Sequence, residues 1–164
     1  MRYLIALLAA FSLPSLYAET LELPQGPVIL TVSGELENTN AGDHAQFDRA
    51  MLEALPQHET VTHTPWHDGA VSFVGPLGRT LLDAVGSEGR ELRISALNDY
   101  SATVPVRDFY KYDVILAMSA NGQPLQVRDQ GPLFVIYPFD QASSLMNEVT
   151  LSRSVWQVNR IEIE

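Results

Sequence analysis

The chain has 164 residues, with 20 acidic against 10 basic side chains, a formal net charge of −10 and no cysteine. That balance argues against nucleic acid and anionic lipid as partners, because both are held through Lys/Arg contacts with phosphate. The missing cysteine removes disulfides, thiolate metal ligands, thiol nucleophiles and redox pairs together.

Residues 1–18 read as a secretory signal peptide. Arg2 supplies a positive start, Leu4 to Leu13 is almost purely apolar, Pro14 breaks the run, and Leu16-Tyr17-Ala18 precedes the cut. The run is well short of the ~20 residues that span a bilayer; an uncleaved anchor is the competing reading. Lipidation at this boundary needs a cysteine and is excluded. Nothing later in the sequence is apolar enough to span a membrane, so no direct membrane insertion is expected after cleavage. The mature protein, 19–164, has the length of one domain with one substantial core. Loss of Arg2 leaves 9 basic against 20 acidic residues, a net −11.

Val28 to Gly34 is a β-branched run closed by glycine, hence a strand. Asp43 is placed to cap a helix through about Leu55, with Phe47, Ala50, Met51, Ala54 and Leu55 on one face and Pro56 ending it. Thr60 to Thr64 alternates as a strand, and Pro65-Trp66-His67-Asp68-Gly69 interrupts it with turn chemistry. Val71 to Gly75 is a further strand. Pro76 opens a helix carrying Leu77, Leu81, Leu82 and Val85, which Gly86 stops. Strands over Glu91 to Ala96 and Ser101 to Val106 flank an Asn98-Asp99 turn. Arg107 to Tyr112 is a turn of helix and Val114 to Met118 a buried strand. Asn121-Gly122 is a strong hairpin signal, with Leu125 to Arg128 returning from it. Leu133 to Tyr137 is one more strand, and Val155 to Ile163 alternates to close a sheet. Many short strands with a few helices give a single mixed α+β domain.

Five stretches, in order, resemble the oxidoreductase molybdopterin-binding domain, the cofactor domain of sulfite-oxidase-type enzymes. They are Phe73-Val74-Gly75-Pro76-Leu77 with Leu81-Leu82-Asp83-Ala84-Val85-Gly86; Asn98 to Pro105; Ile115-Leu116-Ala117 to Asn121-Gly122-Gln123-Pro124-Leu125; Gly131-Pro132-Leu133 with Val135, Tyr137 and Pro138; and Trp156 to Ile161. The resemblance implies the sulfite-oxidase-type fold from about Val28 to the end. The departures are informative. Where the enzymes present the cysteine that ligates molybdenum, this chain has Val61-Thr62-His63-Thr64-Pro65-Trp66, and neither threonine nor histidine replaces a soft thiolate. Where they carry an arginine and a lysine against the anionic cofactor, this chain has Phe134 and Val155. A phosphorylated, metal-bearing pterin fits such a site poorly and a neutral pterin fits it.

That pattern is similar to a metal-free branch of periplasmic pterin-binding sensors. The resemblance implies a non-catalytic protein that binds a pterin without molybdenum, has no catalytic or metal-ligating residues, and engages the periplasmic domain of a membrane-bound cyclic di-GMP enzyme. The alternatives are a divergent molybdopterin-dependent oxidoreductase or its accessory subunit, and a structural subunit whose cleft is filled with side chains.

A pterin needs an aromatic platform for its faces, a paired acceptor for its amino edge and a donor for its oxo group; a carboxylate meets the second need with two charge-assisted bonds. Trp66, in turn context, is the candidate platform, against an ordinary half-buried indole. Trp156, alternating with Val158, reads as core. Asp99 is the candidate edge acceptor, with Asn98, Tyr100 and Ser101 as further contacts, against a solvated turn. Arg128 with Asp129 forms a second polar cluster, against a plain surface loop. Tyr112, with Tyr110 and Lys111, is a candidate wall, against amphipathic packing. His63 and His67 straddle a proline and lack any zinc-motif spacing, and no Gly-x-Ser-x-Gly elbow supports a serine triad.

Overall fold

The computed structural model describes residues 21–164; the signal-peptide reading lies outside them. Eleven strands and four short α-helices follow in the order β1 (Val28–Gly34), β2 (Ala45–Asp48), α1 (Arg49–Ala54), β3 (Gln57–His63), β4 (Ala70–Pro76), α2 (Gly78–Val85), β5 (Glu91–Ala96), β6 (Ser101–Pro105), α3 (Val106–Lys111), β7 (Ile115–Ala117), β8 (Ser119–Ala120), β9 (Gln123–Pro124), β10 (Phe134–Ile136), α4 (Glu148–Arg153) and β11 (Val158–Ile163). They build a five-stranded sheet in the order β2-β1-β11-β5-β6, a four-stranded sheet β3-β4-β8-β9 and a two-stranded pair β10-β7. The last strand of the chain sits in the middle of the large sheet, parallel to β1 and antiparallel to β5.

The inward positions of that sheet, among them Leu30, Val32, Leu92, Ile94, Ala96, Val104, Val158 and Ile161, join Leu81, Leu82 and Val85 of α2 and Phe109 of α3 in one buried cluster. Val71, Phe73, Ile115, Ala117, Leu125, Phe134 and Ile136 form a smaller one. Trp66 packs against both. The loop that interrupts the strand pattern therefore pins the two cores together.

The α2 reading holds at its C-terminus: Gly86 is left-handed at φ 62°, and its N–H reaches the Asp83 and Leu82 carbonyls. At the other end Gly78 lies so close to the Phe109 ring that any Cβ would overlap it. The reading of a helix from Asp43 to Leu55 is corrected. Ala45–Asp48 pairs antiparallel with β1, putting Ala45 and Phe47 into the core as strand residues, and the helix begins only at Arg49. Its cap is Asp48, whose Oδ1 accepts from the Met51 N–H at 2.9 Å while Oδ2 accepts from Gln25 and Gly26, both at 2.8 Å. Pairing with a neighbouring strand outweighs local helix spacing. Helix α4, held by the Asn147 side chain accepting from Thr150 N–H, was not expected from the sequence.

The bonds from the Met51, Gly26 and Gln25 N–H groups hold the Asp48 carboxyl below its ordinary 3.8. A depressed folded pKa contributes stability that is complete above the unfolded value and is lost as pH falls through the folded one. Thermal melts should therefore weaken below about pH 4, and Asp48→Ala should flatten that acid limb while lowering the midpoint at pH 7. Gly78→Ala should destabilise by about 1–3 kcal/mol through overpacking against Phe109, read by urea unfolding.

Candidate functional site

Between the end of β5, the start of β6 and the C-terminal end of α4 lies a cleft of about 400 Å³ lined by Trp66, Ala96, Asn98, Tyr100, Leu151, Ser152, Ser154, Val155 and Trp156. The volume is within the range of small-molecule sites, which are mostly apolar with a few placed polar groups. No lining residue is charged.

Two indoles form its aromatic surface. Trp66 and Trp156 meet edge to face at 5.7 Å between ring centroids, and each also touches Phe134, at 5.6 and 6.0 Å. Phe139 adds an edge contact to Trp66 at 6.4 Å. The aromatic network packs both indoles against protein, with contacts of the size that fix ring orientation.

The reading of Trp156 as a core residue is corrected. Trp156 precedes β11 and is 36% exposed, because Gln157 takes a left-handed backbone at φ 55° and breaks the alternation. The Gln157 N–H donates to the Gln130 carbonyl at 2.9 Å, its carbonyl accepts from the Leu97 N–H at 3.0 Å, and its side-chain amide donates to the Val127 carbonyl at 2.6 Å. Val155 and Val158 on either side remain buried.

Polar groups sit at the rim. Asn98 Oδ1 accepts from the Tyr100 N–H at 3.1 Å, the Asx-turn geometry that shapes this loop. Tyr100 Oη donates to the Ser152 carbonyl at 2.8 Å, tying the β6 side of the cleft to α4. Ser154 Oγ is buried and donates to the Thr150 carbonyl at 3.0 Å. Among the described residues, neither indole N–H and neither Asn98 amide hydrogen has a protein acceptor, leaving donors for a polar ring edge.

Of the residues selected from sequence, Trp66, Asn98 and Tyr100 come together here. The others do not. Asp99, at φ 64°, turns its carboxylate to solvent and pairs with Arg160 at 3.4 Å. Ser101 is an exposed strand residue of β6. Tyr112 lies beyond α3, beside Tyr137 at 6.4 Å and under Lys111. Arg128 is exposed and pairs with Asp129 at 3.2 Å. Leu151 to Trp156 were missed as a wall because α4 itself was missed.

Helix α4 is anchored from behind. Arg153 donates to Asp108 Oδ2 at 3.0 Å, and the buried Tyr137 phenol donates to the same oxygen at 3.0 Å. Burial, reinforced by the Asp108 carboxylate, raises the Tyr137 phenol well above its ordinary value, so it stays a donor. Arg153 and Asp108 retain 25% and 11% side-chain exposure.

In the stretch where the resemblance implies a metal thiolate, the Thr62, His63 and Thr64 side chains are already engaged. Thr62 Oγ1 accepts from the Asp140 N–H at 3.1 Å, His63 Nδ1 meets Asp140 Oδ2 at 2.8 Å, and Thr64 Oγ1 meets His67 Nδ1 at 2.8 Å. Among the described residues no cluster of three His, Asp or Glu could hold a metal.

The family model for the oxidoreductase molybdopterin binding domain matches residues 31–146. The chain belongs to that family. The solved structure of the sulfane dehydrogenase SoxCD from Paracoccus pantotrophus has the same fold, with a TM-score of 0.61 at 20% identity over 88% of this chain. The match spans 40% of the SoxCD chain. No curated protein matches. Family membership corrects the expectation of a non-enzyme, since the family is one of oxidoreductase domains. The matched stretch ends before α4, so Trp66, Asn98 and Tyr100 lie within it and Ser152 to Trp156 outside.

Removing Arg153 would leave Asp108 without its cation. Arg153→Leu should cost roughly 2 kcal/mol, less than a fully buried pair because both groups keep some water. Urea unfolding measures the loss, and Trp156 emission should shift as the α4 wall loosens.

Proposed function

We propose that the chain is a pterin-binding domain of the molybdopterin oxidoreductase family, working as part of an oxidoreductase or as its accessory subunit, with the pterin ring held in the Trp66–Trp156 cleft. The observation that carries this reading is an uncharged cleft walled by two indoles and rimmed by Asn98 and Tyr100. An aromatic wall suits the bicycle, and the free Asn98 amide suits the 4-oxo group. The Ser152 carbonyl, released from Tyr100, would accept from the 2-amino group.

A molybdenum-bearing, phosphorylated cofactor does not fit these residues. The sequence supplies no thiolate, the Thr62, His63, Thr64 and His67 side chains are bonded to one another or to Asp140, and the cleft lining offers no cation to a phosphate. The chain accordingly takes the organic ring and does not itself ligate the metal.

Mass spectrometry of small molecules released from natively purified protein tests the ligand, and elemental analysis tests the metal. A released pterin is expected; stoichiometric molybdenum on the protein would contradict the metal-free part alone. Trp66→Ala should weaken binding of a reduced pterin about tenfold or more, followed by tryptophan fluorescence with thermal melts as the folding control. Unchanged affinity would sink the platform assignment.

In a competing form of the pterin-binding reading the protein is exported to the periplasm, residues 1–18 are removed, and the loaded form regulates a membrane-bound cyclic di-GMP enzyme in place of serving an oxidoreductase. That form rests on family resemblance. It requires the pterin to bind the partner-competent state more tightly than the other. Pterin-dependent binding to the purified periplasmic domain of such an enzyme is the outcome it expects.

A further inference from the structure

A second cleft of about 400 Å³ lies at the start of β1 and shares no lining residue with the first. Strand β1 begins at Val28, but its pairing with β11 begins only at Thr31, opposite Arg160. Val28, Ile29 and Leu30 therefore have no partner in β11, and all three line the cleft. Each strand also carries a bulge here. Val28 and Leu30 lie opposite the consecutive residues Asp48 and Phe47 of β2, so Ile29 is the extra residue. Val158 and Arg160 lie opposite Ala96 and Ser95 of β5, so Asn159 is the extra one. A bulge re-aims a side chain and is common beside functional sites.

Asn159 and Arg160 bring polar chemistry to the cleft. Among the described residues Asn159 Oδ1 is shut off from water and accepts no hydrogen bond, a costly state for an amide oxygen. The torsion that turns a carboxamide is soft, so a donor in the cleft can draw that oxygen towards it. Arg160 gives Asp99 one long contact at 3.4 Å, with both side chains largely in water. Its other N–H groups remain for a carboxylate, which a guanidinium binds through charge-assisted bonds. Leu97, Val127 and Pro132 supply an apolar wall, with Leu97 and Val127 48% and 53% exposed.

We propose that this cleft binds a free α-amino acid with an apolar side chain. The ligand's carboxylate meets Arg160, its ammonium donates to Asn159 Oδ1, and its side chain covers Leu97, Val127 and Pro132. Charge selects the zwitterion. A chain of net charge −10 repels a bare anion, and Asp99 beside Arg160 repels it locally. The ammonium of a zwitterion is attracted by both. A bare amine gains that attraction but leaves Arg160 without its anion. The last residue of a peptide keeps the carboxylate and an N–H, and lacks the ammonium.

Isothermal titration calorimetry of the full chain with L-leucine tests the site. Saturable binding is expected, weaker by about tenfold or more for leucinamide, which lacks the carboxylate, and for isocaproate, which lacks the ammonium. N-acetyl-leucine, the stand-in for a peptide end, should also bind more weakly than leucine. Asn159→Ala and Arg160→Leu should each weaken leucine binding about tenfold, with thermal melts checking the fold. No leucine binding to the unsubstituted chain, or binding that both substitutions leave unchanged, overturns the proposal. Isocaproate or N-acetyl-leucine binding as tightly as leucine overturns the choice of a zwitterion. Loss of leucine binding in Trp66→Ala would put the ligand in the first cleft and overturn the site, whatever becomes of the pterin.

Discussion

The geometry of the cleft depends on one backbone constraint, the left-handed conformation of Gln157. A non-glycine residue there costs on the order of 1–3 kcal/mol. Three hydrogen bonds, to Gln130, Leu97 and Val127, are each worth about 0.5–1.5 kcal/mol and offset that cost. What the constraint achieves is a change of face. Val155 is buried, Trp156 is turned out beside Trp66, and Val158 enters the centre of the large sheet. Without the kink the alternation of the last strand would carry Trp156 to a different side, and the cleft would keep only one indole.

The same junction explains how rigid core and open site coexist. β11 is held on both sides, by β1 and β5, so its entry point is fixed. α4 is fixed from behind by Arg153 and Asp108 and from across the cleft by Tyr100 on Ser152. Of these ties, Tyr100–Ser152 is exposed and a single bond, whereas the Asp108 cluster is largely buried. A ligand that displaces the first leaves the second, and the wall, in place.

Much of the fold was legible because it rests on local signals: β-branched runs for β1 and β5, Gly86 at φ 62° closing α2, Asn121-Gly122 between β8 and β9. The failures share a physical form. Asp43 and Asp48 are both capping residues in sequence, and only the antiparallel partner β1 decides that Ala45–Asp48 is strand. Trp66 could be placed because proline and glycine bracket it in a turn. Trp156 could not, because the kink that exposes it is sustained by Gln130, Leu97 and Val127, distant in sequence. Asp99 was attractive as a carboxylate in a family-like segment, yet its positive φ points it at Arg160 while its neighbours Asn98 and Tyr100 face the cleft. A turn can divide adjacent residues between solvent and site.

The electrostatics of the cleft then narrow what family membership leaves open. A chain of net charge −10 has a surface that repels anions, and a site for a phosphorylated cofactor must overcome that field with local cations. Here the nearby cations are committed elsewhere: Arg153 to Asp108, Arg160 to Asp99, Arg128 to Asp129. The positions where the resemblance implies positive charge hold Phe134 and Val155, both fully desolvated, and Phe134 is the ring against which the two indoles lean. Where the resemblance implies a cation, Phe134 offers no anchor to a phosphate and instead builds the aromatic wall. Both features support the proposed ligand, a flat uncharged ring.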